Sequence, residues 1–259
     1  MKLNERTYYS REANLAYYSA SEMKELAKCP AAFMAALRGE YDRPVTQALL
    51  VGQYVDEALT GDLDSWIMEH PEICKKDGTL KAEYVQAEQM VARAKSDPVF
   101  MSFLEGERQK IVTGKLFGEY LFKCKFDIFR RDRIVDLKTV KDMEPIYIPG
   151  EGKVDFASAW KWTLQMAIYQ AVYKARYRRQ LPCYLAVITK ENPPDIAIIH
   201  VDQEIMDAEL EWLRNVLPRY DAIKSGIIDP ERCEHCAYCR GSRVLTGAVD
   251  LSELMEVNV

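Results

Sequence analysis

At about Gln109 the hydrophobic rhythm of this chain changes from helical to extended, and that switch limits the folds open to it. "KIVTGKLFG", "EYLFKCKFDIF" and "RIVDLKTV" are short segments rich in Val, Ile, Phe and Tyr, and they predict an antiparallel meander of three strands. Upstream, from Ser19 to about Leu104, the pattern is helical. Ser19 or Ser21 caps a helix through "SASEMKELAKCPAAFMAALRGE", Glu22 and Glu25 sit near its positive end, and Gly39 stops it. A second helix is expected over Gln47 to Leu59 and a third over Lys81 to Lys95, ending before Pro98. After the meander, "MEPIYIPGEGKVD" reads as a loop. A long helix from Phe156 to Arg179 follows, then strands near Tyr184 to Thr189 and Ile196 to Val201, then a helix from Glu204 to Lys224. The order β-β-β-α-β-β-α behind a helical part predicts an α/β fold. The division expected is a helical region over 1–105 packed on a core over 106–228, with a cysteine-containing tail over 229–259.

Composition narrows the class. With 48% hydrophobic and 29% charged residues among 259, the chain can bury a real core. The start of the sequence shows no apolar signal region, and no run of about 18 apolar residues could span a bilayer, so a cytoplasmic location without membrane contact is expected. Seven cysteines without such a signal read as thiols or metal ligands rather than disulfides. A net charge of −5 excludes a uniformly basic surface but not a local one. Lys123, Lys125, Arg130, Arg131, Arg133, Lys138 and Lys141 crowd one region; Lys174, Arg176, Arg178 and Arg179 crowd another.

The stretch "FDIFRRDRIVDLKT" carries the chemistry. Residues i and i+2 of a strand share a face, so Asp136 and Lys138 emerge together while Val135 and Leu137 face the other way. A reversal at Arg131 and Asp132 sets Arg130 opposite Arg133 and Asp127 opposite Asp136. Two carboxylates at that spacing repel, and oxygen donors suit a hard cation such as Mg²⁺ or Mn²⁺. A lysine beside the cation can orient an attacking water or stabilise charge building on a phosphate. The plain alternative is a pair of solvated charges on an exposed strand.

Further motifs accompany these residues. Asp127 and the triplet Asp136-Leu137-Lys138 are followed by Gln165 and Tyr169, one helical turn apart, in "QMAIY"; before them come "SASEMKELAKCPAAF" and "GQYVD", which ends in Asp56. In this order they resemble the PD-(D/E)XK nuclease superfamily, in particular the RecB-like and RecE-like exonucleases related to lambda exonuclease. "LPCYLAVITKENPPDIAIIHVD" is also similar to the phage RecE-like group. The resemblance implies a restriction-endonuclease-like core, a mixed central sheet flanked by helices. It implies Mg²⁺ or Mn²⁺ held by Asp56, Asp127, Asp136 and the Leu137 carbonyl, with Lys138 positioning water and Gln165 and Tyr169 holding the phosphate or the lysine. Asp56 stands where relatives carry a histidine. DNA is the implied partner, with cleavage at linear ends in phage-type recombination, alongside a single-strand annealing protein and as a homo-oligomeric ring. A rival reading is a non-catalytic DNA-end-binding accessory protein that keeps the fold.

Cys233, Cys236 and Cys239 have the C-x-x-C-x-x-C spacing of three ferredoxin-type cluster ligands, and zinc accepts the same thiolates, with Cys29 or His235 as the fourth ligand. The resemblance favours Cys29 with the trio and a [4Fe–4S] cluster; zinc or unligated thiols are the alternatives. A metal-cluster module with a redox or structural role is a further reading. Cys74, Cys124 and Cys183 read as ordinary core cysteines.

Overall fold

In the computed structural model, residues 3–245 and 247–248 are described; the end of the expected tail lies outside them. In chain order the helices are α1 (Arg11–Ala16), α2 (Ala20–Lys28), α3 (Pro30–Arg38), α4 (Gln47–Thr60), α5 (Leu63–Glu69), α6 (Ala82–Lys95), α7 (Pro98–Phe103), α8 (Phe156–Ala159), α9 (Trp162–Tyr177), α10 (Gln203–Lys224) and α11 (Ala237–Gly241). The strands are β1 (Glu107–Leu116), β2 (Tyr120–Phe129), β3 (Ile134–Val140), β4 (Ile146–Ile148), β5 (Gly152–Val154), β6 (Cys183–Thr189) and β7 (Ile196–His200).

Five strands form one sheet in the order β1-β2-β3-β6-β7. β1, β2 and β3 make the expected antiparallel meander, β6 lies parallel to β3, and β7 returns antiparallel to β6. A parallel neighbour demands a crossover, and α9 supplies it. Helices cover both faces. One core gathers Met23 and Leu26 of α2, Phe33 and Leu37 of α3, and the inner sides of α9 and α10 over Phe122, Cys124 and Phe126. The other packs Val55 of α4 and Met90 of α6 on Val135, Leu137, Ala186 and Ile188. The first 105 residues are therefore shared between the two faces.

Three expected elements differ. The first helix is two, α2 and α3. Pro30 has no N–H to continue the ladder, so Cys29 is extended and opens α3 through its own sulfur, which accepts from Ala32 N at 3.4 Å. Ser19 does cap α2, and Gly39 ends α3 at φ 78°. The long helix likewise splits, because Lys161 takes a left-handed conformation between α8 and α9. The expected loop at 143–155 contains a β4–β5 hairpin, turned by Gly150 and Gly152 at φ 85° and 83°.

Candidate active site

Reversal at Arg131 and Asp132 holds: Arg130 N donates to Arg133 O at 3.0 Å, and Ile128 pairs with Val135. Continuing that register sets Asp127 opposite Asp136. Beyond the hairpin end, however, the two strands part. The ladder gives way to a side-chain bond, Leu137 N donating to Asp127 Oδ2 at 3.2 Å. A residue's N–H and C=O point to the same side of an extended strand, so the Leu137 carbonyl also faces this gap. Further along β2 the place of β3 is taken by Tyr18, whose backbone N and O bond Leu121 and Lys123 at 2.8 Å each. That bridge brings the start of α2 beside the gap.

Asp136 is fully buried, as a carboxylate can be only when paired. Gln165 Nε2 donates to its Oδ1 at 2.7 Å, and the Lys138 ammonium contacts its Oδ2. Gln165 also donates to the Tyr169 hydroxyl at 3.1 Å, and Tyr169 donates to Lys125 O at 2.9 Å. The i, i+4 pair on α9 thus acts on the buried carboxylate and on β2. Lys24 completes the chain: its Nζ donates to Gln165 Oε1 at 2.6 Å, which fixes the amide with its nitrogen toward Asp136. Lys24 was not legible as a site residue in the sequence. Its signal, a lysine in the motif-bearing α2, has meaning only once α2 lies against α9.

Electrostatics match this crowding. Burial, and then the charge of Asp136, raise Asp127 well above the usual carboxylate range, against the opposing pull of Lys138. Asp56 is raised too, first by burial, with Glu57 and Asp136 adding to it and Thr60 and Arg108 opposing. Burial alone would lower Lys138, but Asp136 and Asp127 outweigh it and hold the ammonium above its ordinary value. Burial, followed by repulsion from Lys138, brings Lys24 down to about 7.

Two cavities meet here. One, of about 480 Å³, lies under the N-terminal segment and is lined by Ser19, Ser21, Arg43, Lys123, Gln165 and Tyr169 among others. The second, of about 580 Å³, lies against α4 and includes Gly52, Asp56, Trp66, Leu137 and Thr139. Tyr9, Gln109, Lys125, Asp127 and Lys138 line both. Asp56 thus shares a cavity with Asp127 and Leu137, while its carboxylate faces Arg108 at 3.5 Å and accepts from Thr60 Oγ1 at 2.9 Å. Three carboxylates, two of them raised toward protonation, and a carbonyl on an open strand edge form an oxygen donor set that fits a divalent cation.

Of the basic residues singled out in the sequence, Lys125 and Lys138 reach both cavities. Lys123 is buried with its Nζ on Tyr8 O and on Asn14 Oδ1, and Arg133 bonds Ser102 O at 2.6 Å over the Phe103 ring. Lys174, Arg176, Arg178 and Arg179, at the far end of α9, line neither cavity.

The second cluster closes the chain on itself. The sulfurs of Cys29, Cys233, Cys236 and Cys239 all lie within 4.8 Å of one another, with Cys29 and Cys239 3.6 Å apart and Cys233 and Cys239 4.0 Å apart. It is Cys29, not His235, that joins the trio. Backbone N–H groups point at the sulfurs: Cys236 N at Cys233 (3.3 Å) and Cys239 N at Cys236 (3.4 Å). Burial opposes ionisation of Cys233, but the N–H groups of His235 and Cys236 prevail and bring it down to about 6. Cys124 and Cys183 are buried core cysteines and Cys74 is half-buried.

Comparison with known proteins agrees with the geometry. Residues 19–242 match the family described as "PDDEXK-like domain of unknown function (DUF3799)". The crystal structure of a "Putative exonuclease" from Eubacterium rectale is 36% identical, covers 98% of both chains and superposes with a TM-score of 0.94. The structure of SSO0001 aligns over 71% of this chain and 81% of its own at 14% identity, with a TM-score of only 0.27. No curated protein matches. The span of the family match, the near-complete superposition and the Asp127, Asp136, Lys138 constellation on a mixed five-stranded sheet lead to one assignment: the chain belongs to the PDDEXK-like family of the PD-(D/E)XK nuclease superfamily.

Proposed function

We propose that the chain is a Mg²⁺- or Mn²⁺-dependent deoxyribonuclease, an exonuclease acting at linear DNA ends in phage-type recombination. The observation that carries this reading is the buried Asp136, held between Lys138 and Gln165 and facing Asp127 across the splayed end of β2 and β3. The similarity to the Eubacterium rectale protein, described as a "Putative exonuclease", supports it. Asp56, Asp127, Asp136 and the Leu137 carbonyl would hold the cation, which when bound supplies charge for the developing phosphate oxyanion and acidifies a water.

The protein's own groups do the rest. An ammonium has three donors and no acceptor, and Lys138 is held protonated, so it orients a water or a phosphate oxygen by donating and takes no proton from it. Asp136 would serve as one of the cation's ligands through a carboxylate that Lys138 contacts at Oδ2 and Gln165 holds at Oδ1. Gln165, steadied by Lys24 and Tyr169, keeps the carboxylate in place. Contacts to phosphate carry no base readout, so binding is salt-sensitive and weakly sequence-specific.

The four cysteines form a separate metal site in this reading. Four sulfurs around one zinc at ~2.3 Å stand about 3.8 Å apart, which the contacts of 3.6 and 4.0 Å match. A [4Fe–4S] cube binds each sulfur through a different iron and needs them farther apart. This spacing favours zinc, and elemental analysis of the purified protein decides.

The test is cleavage of end-labelled linear duplex and single-stranded DNA with Mg²⁺, Mn²⁺ or EDTA, beside Lys138→Ala. Metal-dependent cleavage that falls at least ~100-fold in the variant is expected. Binding without cleavage under every metal would sink the enzyme reading in favour of a DNA-end-binding protein, with Asp56 marking lost activity.

A further inference from the structure

The two cavities join at a waist formed by Tyr9, Gln109 and Lys125 above the Asp127 and Lys138 pair. Lys125 and Gln109 belong to β2 and β1, and their side chains line the cavities. Tyr9 is 68% exposed, although it stands beside the fully packed Tyr8, whose ring it meets edge-on at 4.9 Å. Tyr8 itself is pinned: the buried Lys123 ammonium contacts its carbonyl and lies 4.7 Å from its ring. Tyr9 is therefore an aromatic face presented on a rigid mount. The Lys125 ammonium lies 5.2 Å from that face.

Gln109 adds a second, independent observation. It sits within β1, directly across from Asp127 in the β1–β2 register, between the pairs Arg108 with Ile128 and Lys110 with Phe126. Its φ is +51°, a left-handed conformation that a strand residue with a long side chain adopts only under constraint. The ladder is interrupted at this one step, and the residue that interrupts it lines both cavities. Strain kept at such a point indicates a task for the side chain it displays.

We propose that this waist grips one unpaired strand of nucleic acid, with a base stacked on Tyr9, a phosphate on Lys125 and the Gln109 amide hydrogen-bonded to the same nucleotide. On the nuclease reading, on which this inference rests, the strand is the single-stranded end of the DNA being cut. The two chambers, of about 480 and 580 Å³, each have room for a nucleotide. Besides the shared residues, the first chamber is lined by Arg43, Lys123 and Glu22, the second by Asp56 and Glu57. A strand crossing the waist carries its phosphates past Asp127 and Lys138. Stacking on an aromatic ring beside a cation is a common way of holding single strands without regard to sequence.

The experiment is fluorescence anisotropy of the full chain in EDTA, so that affinity is read apart from cleavage, with a labelled oligo-dT, an oligo-U of equal length and a blunt duplex. The expected result is that Tyr9→Ala weakens oligo-dT binding by about 5- to 100-fold while Tyr9→Phe stays within about twofold of the parent. Gln109→Gly, which relieves the strained φ, is expected to weaken oligo-dT binding without lowering Tm. A structural role for Gln109 predicts the reverse. Oligo-U bound as tightly as oligo-dT, and as sensitive to Tyr9→Ala, supports the stacking site and identifies it as indifferent to the sugar. An unchanged oligo-dT affinity in Tyr9→Ala, or a blunt duplex bound as tightly as the single strand, overturns the proposal. Single-strand binding that depends on Tyr9 in a protein that never cleaves would retain this inference and remove the nuclease reading; cleavage with no dependence on Tyr9 would do the opposite.

Discussion

Two charges on α2, the buried Glu22 and the half-buried Lys24, face opposite ways in their acid–base behaviour. Glu22 is raised to about 7, first by burial, although Lys224 Nζ lies 2.6 Å from its carboxylate and opposes the shift. Lys24 is lowered to about 7, and Lys123 to about 8, in each case first by burial. Between its ordinary value and about 7, Glu22 holds more proton in the folded than in the unfolded chain, so its contribution to stability falls as pH rises through that window. Between about 7 and the ordinary lysine value, Lys24 holds less proton folded than unfolded, so its contribution rises with pH. The two together place a minimum in their joint contribution near pH 7. In metal-free buffer, Tm of Glu22→Gln is expected to lose the fall on the acid side, and that of Lys24→Met to lose part of the rise on the alkaline side. Tm profiles from pH 5 to 9 that stay parallel to the parent's would contradict this assignment of charges.

At the scale of elements, the site depends on how closely α9 lies on the sheet. Gly114 of β1 is the contact point: a Cβ there would stand 3.0 Å from the Val172 carbonyl oxygen and 3.4 Å from its side chain. Because α9 carries Gln165 and Tyr169, lifting it moves the groups that hold Asp136. Gly114→Val is expected to cost ~1–3 kcal/mol by overpacking. The loss is read from urea unfolding, and metal-dependent cleavage should fall along with it. A variant as stable as the parent would mean that α9 can shift without consequence. The hairpin of β2 and β3 makes the complementary contribution, since its pairing ends where the chemistry begins.

For the whole molecule, the four cysteines tie the junction of α2 and α3 to the segment after α10. Ala31 N also donates to Glu231 O at 2.9 Å across the same seam. The clasp closes a loop of some two hundred residues, and Cys29 sits five positions after Lys24 on the element that reaches Gln165. On the proposed four-sulfur metal site, Cys239→Ser is expected to lose the metal and to lower stability on the order of 3–5 kcal/mol, the chain-entropy scale for cross-linking so long a loop. Elemental analysis and Tm of the variant and of chelator-treated protein check both. Full metal content in the variant would exclude the four-sulfur site. Among the described residues no helix is long and apolar enough to cross a membrane.

The sequence by itself determined the sheet-forming meander, the facing of Asp127 and Asp136, and the sharing of one face by Asp136 and Lys138, because strand alternation and a two-residue reversal are local geometry. It also carried the helical pair Gln165 and Tyr169 and the cysteine trio, since a turn of helix and a tight loop bring near neighbours together. The break at Pro30, which the expected single helix ran through, also has a local cause in the missing proline N–H, but the helical periodicity on either side hides it. Tertiary structure alone decided the rest. Lys24 meets Gln165 across 141 positions and Lys123 reaches Asn14 across 109, while Cys29, which the resemblance had placed with the cysteine trio, meets Cys239 across 210. None of these pairs shares an element whose period could announce it. Beyond the point where β2 parts from β3, Tyr18 pairs beside β2, a long-range pairing that no local pattern encodes.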